Sequence, residues 1–231
     1  MSDFKRPQVS LTKSLPKPNP YVLALENDYK DYAFSEERVL GFKGKWHSDV
    51  FKVPHETYVD LEIGTGNGVH FQHYVASNPT RCLIGIELKY KPLIQTIRGA
   101  LKAGNKNGRI MRFHGFNIDQ IFAHSELSNV FIHFPDPWTS PRKPQNRMVN
   151  PRMLELLHNL QRTGSRLEFK TDSREYFLWA MEHVRKSKYK IVFETMDMHS
   201  TEYAKGKVIT GFERIFLNKK TPINCVLLEK I

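Results

Sequence analysis

Cysteine is nearly absent from this chain. Cys82 and Cys225 stand alone, far apart and outside any C-x-x-C spacing, which leaves no basis for a disulfide framework or a zinc knuckle. Long apolar runs are missing as well. No stretch approaches the ~18 consecutive apolar residues of a membrane span, and the N-terminus lacks the apolar centre of a signal peptide. There is no internal repeat. The ten histidines, His133 included, show no metal spacing and read as packing or surface residues, so no metal is expected. Acidic residues are the minority, 24 against 35 Lys and Arg, for a formal charge of +11. Such an excess is uncommon in enzymes of small neutral metabolites. It fits a polyanion, nucleic acid before an acidic membrane. The expectation is a soluble, cytoplasmic protein.

What is present suffices for one sizeable core: 231 residues, 40% hydrophobic and 12% aromatic. Residues 1–20, rich in Pro, Lys and Ser, read as a flexible basic tail. Residues 21–231 read as a single domain that opens on an aromatic-rich, partly helical lead-in. From Tyr58 the pattern becomes regular. YVDLEIG, RCLIGIEL, GRIMRFHG, NVFIHF and RLEFKTD read as strands separated by helical segments. Asn150-Pro151 opens a helix burying Met153, Leu156, Leu157 and Leu160, and Ser173 caps one burying Phe177, Ala180, Met181 and Val184. KIVFETM, TGFERIFL and INCVLLEKI read as closing strands, the last two forming a hairpin. Strands alternating with helices imply an α/β fold, a mainly parallel sheet covered by helices on both faces, here with a C-terminal antiparallel hairpin.

The first strand runs into Glu62-Ile63-Gly64-Thr65-Gly66-Asn67-Gly68. A dinucleotide loop, G-x-G-x-x-G, would want a small residue where Val69 stands, and a pyrophosphate would be repelled by Glu62. A cationic ligand would be attracted. S-adenosylmethionine carries an ammonium and a sulfonium, so Glu62 with Gly64, Gly66 and Gly68 fits this cofactor better than NAD. Glu87 ends the next strand about 20 residues on, where a carboxylate accepts the ribose hydroxyls. Asn117 falls where an amide meets the adenine edge, with a plain turn residue as the other reading. In FIHFPDPW, Pro135 and Pro137 lock the backbone around Asp136, and Trp138 is placed to stack on a base.

Glu62-Ile63-Gly64-x-Gly66-x-Gly68, Gly85-Ile86-Glu87, Phe134-Pro135-Asp136-Pro137-Trp138, Thr171-Asp172 and Thr210-x-Phe212-Glu213 occur in one order. In this the chain resembles the tRNA (guanine-N7-)-methyltransferase family over about residues 21–231. The resemblance implies a class I methyltransferase (Rossmann-like) fold and transfer of methyl from S-adenosylmethionine to N7 of a variable-loop guanine in tRNA. It puts Glu62, Glu87, Asn117 and Asp136 at cofactor positions, Asp136 also at the catalytic acid, and Asp172 and Thr210 to Glu213 at substrate positions. The family's dense basic run after FPDPW is thinned here to Arg142, Lys143 and Arg147, with Ser140 where a substrate-contacting lysine is common. Arg142, Ser140 and Trp138 join the expected substrate contacts.

N7 bears no proton, so the reaction needs no general base. Asp136 is assigned to orienting the base and stabilising the positive charge it acquires. Asp172 and Glu213 are candidates for the guanine N1 and N2 donors, with a structural role as the other reading of both, helix capping in the case of Asp172. tRNA is the expected partner, without a membrane, and the protein is a monomer or homodimer. The competing readings are methylation of an exocyclic amino group, a NAD-dependent oxidoreductase, and an RNA-binding homologue without catalysis.

Overall fold

The computed structural model describes residues 6–140 and 144–231. Arg142 and Lys143 of the thinned basic run lie outside the described residues. The chain forms two compact units, the first ending at Ala123 and the second beginning at His124.

The first unit begins with α1 (Pro20–Glu26), β1 (Ala33–Phe34) and the short α2 (Glu36–Val39), followed by a π-helical turn at Trp46–Phe51. Its regular part is β2 (Val59–Ile63), α3 (Val69–Ser77), β3 (Cys82–Ile86), α4 (Tyr90–Lys102) and β4 (Gly108–Met111). The strands lie in the order β1-β4-β3-β2, all parallel. Both β2 and β3 are buried at every position, as expected for a parallel sheet covered on both faces. Asp60, fully buried on β2, takes a bidentate bond from Arg81 at 2.6 and 2.7 Å and a third from the Tyr74 hydroxyl at 2.8 Å. That set ties α3 and the turn before β3 to β2. Gly104, at φ +80°, closes α4.

Residues 6–14 belong to the segment expected to be a flexible basic tail, yet they lie along this first unit. The Ser10 carbonyl accepts from Arg112 at 2.7 Å, the Pro7 carbonyl accepts from the Asn117 amide at 2.9 Å, and the buried Thr12 hydroxyl donates to Glu36 at 2.8 Å. Composition suggested a free end because these partners are 24 to 110 residues away in sequence, where no local pattern can reveal them.

The second unit contains β5 (Val130–His133), α5 (Pro151–Leu160), β6 (Arg166–Thr171), α6 (Arg174–Val184), β7 (Tyr189–Thr195), α7 (Gly211–Asn218) and β8 (Asn224–Lys230). The strand order is β5-β6-β8-β7, parallel for the first pair and antiparallel for the others. The closing antiparallel pair is therefore β7 with β8. TGFERIFL is helix α7, not a strand. Thr210 accepts from the Glu213 amide while the Glu213 carboxylate reaches back to the Thr210 amide, and this reciprocal cap outweighs the β-branched and aromatic residues that suggested a strand. In α5 the buried set is Met153, Leu154, Leu157 and Leu160, so Leu154 replaces the expected Leu156. The α6 set holds the four expected residues and Tyr176 as well.

Asn150 caps α5 by accepting from the Met153 amide at 2.9 Å and also donates to the Arg147 carbonyl at 2.8 Å. Asn150→Ala should lower the unfolding free energy by about 1–2 kcal/mol in denaturant titration; an unchanged midpoint would contradict this role for the cap.

Candidate functional site

In the first unit the glycine loop joins β2 to α3. Gly64, Gly66 and Gly68 all have positive φ, +85°, +53° and +79°. At Gly66 the conformation is set from outside: its amide donates to Glu87 Oε2 at 3.0 Å, and the amides of Gly64 and Thr65 donate to the Ile86 carbonyl at 2.9 and 3.1 Å. At Gly68 the constraint is also steric, since a Cβ would meet Thr96 Oγ1 at 2.3 Å. Glu87 Oε1 accepts from the Lys89 amide at 2.9 Å. One carboxylate thus binds the loop and the start of α4 together, and each of its oxygens keeps a second lone pair.

Glu62 is 3% exposed. Its Oε2 lies 3.0 Å from His70 Nδ1, an ion-pair distance, but without hydrogen-bond geometry that oxygen still has an acceptor to give. Asn117 is buried. Its amide nitrogen is engaged with the Pro7 carbonyl, while its Oδ1 has no hydrogen-bond partner. Two buried acceptors and a glycine cradle with open space at Gly64 and Gly66 suit a ligand that is cationic at one end and offers an amino group at the other.

In the second unit the Phe134–Trp138 turn is strained on both sides of Asp136. Phe134 has φ +51° and Trp138 φ +42°, a left-handed conformation costing non-glycine residues roughly 1–2 kcal/mol each. Two bonds hold the turn there. The Phe134 amide donates to the Lys170 carbonyl at 2.8 Å, and the Pro137 carbonyl accepts from Arg147 Nε at 2.9 Å. Asp136 and Ser140 are exposed, and Trp138 is 39% exposed. An acid and an indole are therefore presented to solvent on a braced backbone. In the sequence Arg147 is one of the three residues left of the basic run. It is buried, pairs with Glu175 at 2.6 Å and lies over the rings of Tyr176 and Trp179.

Glu213 is 1% exposed, and its carboxylate is taken by Lys170 at 3.4 Å, by His199 at 2.7 Å and by the α7 cap. Asp172 follows β6 and is half-buried, while the cap of α6 is supplied by Ser173 instead. Burial raises the Asp172 pKa, against lowering by its own backbone hydrogen bond and by Lys219. His133, expected to be a packing or surface residue, donates from Nε2 to Glu168 Oε1 at 2.8 Å in the buried core of the sheet. Burial opposes the ionisation of Glu168, yet the His133 hydrogen bond and the charges of His133, Lys207 and Lys170 hold its pKa well below the usual carboxylate range. Nothing in the local pattern of strand β6 marked that buried acid.

A family model described as "Putative methyltransferase" matches residues 56–226. The chain is 54% identical over 209 residues to a tRNA (guanine-N(7)-)-methyltransferase from Bdellovibrio bacteriovorus, covering 90% of this chain and all of that one. Among solved structures it is similar to an rRNA methylase from Streptococcus thermophilus, with a TM-score of 0.52 at 13% identity over 76% of this chain and 88% of that one. It is also similar to a putative methyltransferase from Streptococcus mutans in complex with SAH, with a TM-score of 0.51 at 12% identity over 76% and 89%. At these identities the likeness is one of fold. It bears out the expected class I, mainly parallel α/β arrangement with a C-terminal antiparallel pair.

The raised pKa of Asp172 has a definite sign. A carboxyl that the folded state prefers neutral destabilises that state once it ionises, so its cost is present at neutral pH and disappears below the unfolded value of about 3.9. Asp172→Asn should therefore melt higher than the parent at pH 7, with the gap closing toward pH 3.5. A lower melting temperature at pH 7 would contradict the assignment.

Proposed function

The chain belongs to the tRNA (guanine-N7-)-methyltransferase family, and from that premise we propose that it methylates N7 of a variable-loop guanine in tRNA, with S-adenosylmethionine as donor. The observation that carries the assignment of roles is the braced, strained turn that exposes Asp136 and Trp138. Strain of this kind persists only where surrounding structure over-determines it, and it concentrates at functional sites.

When bound, S-adenosylmethionine supplies an electrophilic methyl group on a positively charged sulfur. Glu62 attracts its ammonium, Gly64, Gly66 and Gly68 let the main chain approach it closely, Glu87 accepts from its ribose hydroxyls, and Asn117 Oδ1 accepts from its adenine amino group. Trp138 offers a stacking surface to a nucleobase. Asp136 orients the guanine and faces the positive charge that builds on the ring as N7 is alkylated. Because N7 carries no proton, no residue is needed to remove one. Catalysis then rests on placement, a contribution of up to roughly 7–11 kcal/mol in well-oriented systems, and on a fixed carboxylate near developing charge.

Glu213 enters this scheme through its neighbours. Its carboxylate is already shared by Lys170, His199 and the α7 cap and is buried, so acceptance from the guanine edge requires it to be uncovered, whereas Asp172 is only half-buried. Thr210 and exposed Ser140 complete the proposed substrate contacts, together with Arg142. The formal charge of +11 supplies the sequence-independent attraction to the phosphate backbone. A cytoplasmic location accompanies that substrate. Among the described residues no helix is long and apolar enough to cross a membrane.

The test is incubation with methyl-labelled S-adenosylmethionine and unmodified tRNA, followed by strand scission specific for N7-methylguanine. Label at a variable-loop guanine is expected, and label on an exocyclic amino group would overturn the reading. In the same assay Asp136→Asn should reduce turnover by at least about 100-fold, the loss typical of removing one preorganised electrostatic group; turnover within threefold of the parent would remove its assigned role.

A further inference from the structure

Glu168 lies in the middle of β6, 3% exposed, on the sheet face that also carries His133, Lys170 and Cys225 by strand register. Around it the packing is largely apolar. Met198, Ile223 and Cys225 form a buried cluster, with Phe134, Phe193, Tyr203, Ala204 and Phe216 against it. A lone carboxylate here would cost several kcal/mol, and a hydrophobic residue would serve packing as well or better. The carboxylate is instead bonded at both oxygens. Oε1 is bonded to His133 Nε2 at 2.8 Å, and Oε2 accepts from the Tyr203 hydroxyl at 2.5 Å and from Lys207 Nζ. Lys207 also sits over the Tyr203 ring at 4.0 Å, and that ring stacks on Phe193.

The identity of these three partners gives the arrangement its meaning. His133 is the residue directly before the strained Phe134–Trp138 turn. Tyr203 and Lys207 belong to the segment that leaves β7 and ends at Thr210, the cap of α7. The segment makes only short 3-10 turns, at Met198–Ser200 and Glu202–Ala204; the Met198 amide donates to the Ile223 carbonyl at 2.8 Å, and side-chain anchors add to that bond. We propose that Glu168 is a positioning residue for methyl transfer, a single buried carboxylate that sets the Asp136 turn and the Thr210–Glu213 segment relative to each other. With its donors all supplied from within the unit, Glu168 does not itself touch substrate. Directional bonds from one carboxylate fix two loops to one geometry, which apolar packing would leave free to slide. The inference rests on Asp136 being the acid that serves the reaction.

The test compares Glu168→Gln, Lys207→Met, the double variant and Asp136→Asn in steady-state methylation of tRNA, with thermal unfolding of each. Lys207 is about one-third exposed, so Lys207→Met retains a folded protein even if Glu168→Gln does not. Each single variant should lower kcat about 10- to 100-fold, the loss that small misplacement produces, while KM for both substrates changes less than about threefold. The double variant should be no worse than the poorer single one, because both remove the same link. Turnover of Lys207→Met within threefold of the parent overturns the proposal. So does an effect confined to KM for tRNA with a flatter salt dependence, which would make Lys207 a phosphate contact. If Asp136→Asn keeps its turnover, the assignment of the acid falls first, and that result is distinct from either of these.

Discussion

A hydrogen bond from the Gly66 amide to the Glu87 carboxylate, 3.0 Å long, fixes the glycine loop on which the proposed cofactor recognition depends. Glycine at this position has the widest choice of backbone conformations and so the most entropy to lose. The bond to a charged acceptor, with the two amide bonds from Gly64 and Thr65 to Ile86, spends that entropy during folding and not during binding. A loop already in its working shape binds more tightly for the same contacts. Glu87 holds the loop and still has lone pairs to offer, so the residue that shapes the loop is also the one expected to meet the ribose.

The second unit applies the same physics to a different end. Buried charges at Glu168, Lys170 and Glu213 are poor devices for stability, since desolvation offsets most of their mutual attraction. They are good devices for geometry. Lys170 shows both halves of the arrangement: its side chain reaches Glu213 at the start of α7, while its carbonyl receives the Phe134 amide at the start of the strained turn. Arg147 braces the other end of that turn through the Pro137 carbonyl. Asp136 therefore projects from a backbone held on either side by groups that do not move with solvent.

Much of this was legible in the sequence where the physics is local. The apolar runs of β2 and β3, the Asn150 and Ser173 caps and the glycine-rich turn are all short-range signals, and each appears where the residues place it. TGFERIFL misled because strand-like composition competed with a capping box, and the cap prevailed. The long-range partners were not legible. Nothing near Pro7 points to Asn117, and nothing near His133 points to Glu168, because sheet register and loop packing bring them together. Glu62 and Asp136 could be singled out by their neighbours in sequence; His70 and Arg147 could not.

The central claim is that Glu87 holds the glycine loop ready and then receives the cofactor. Calorimetric titration of S-adenosylmethionine into Glu87→Gln beside the parent protein measures it most directly. Hydrogen bonds to a charged group are worth about 1.5–3 kcal/mol each, so the variant should bind at least about tenfold more weakly. Affinity within twofold of the parent, in protein that is equally well folded, would contradict the account.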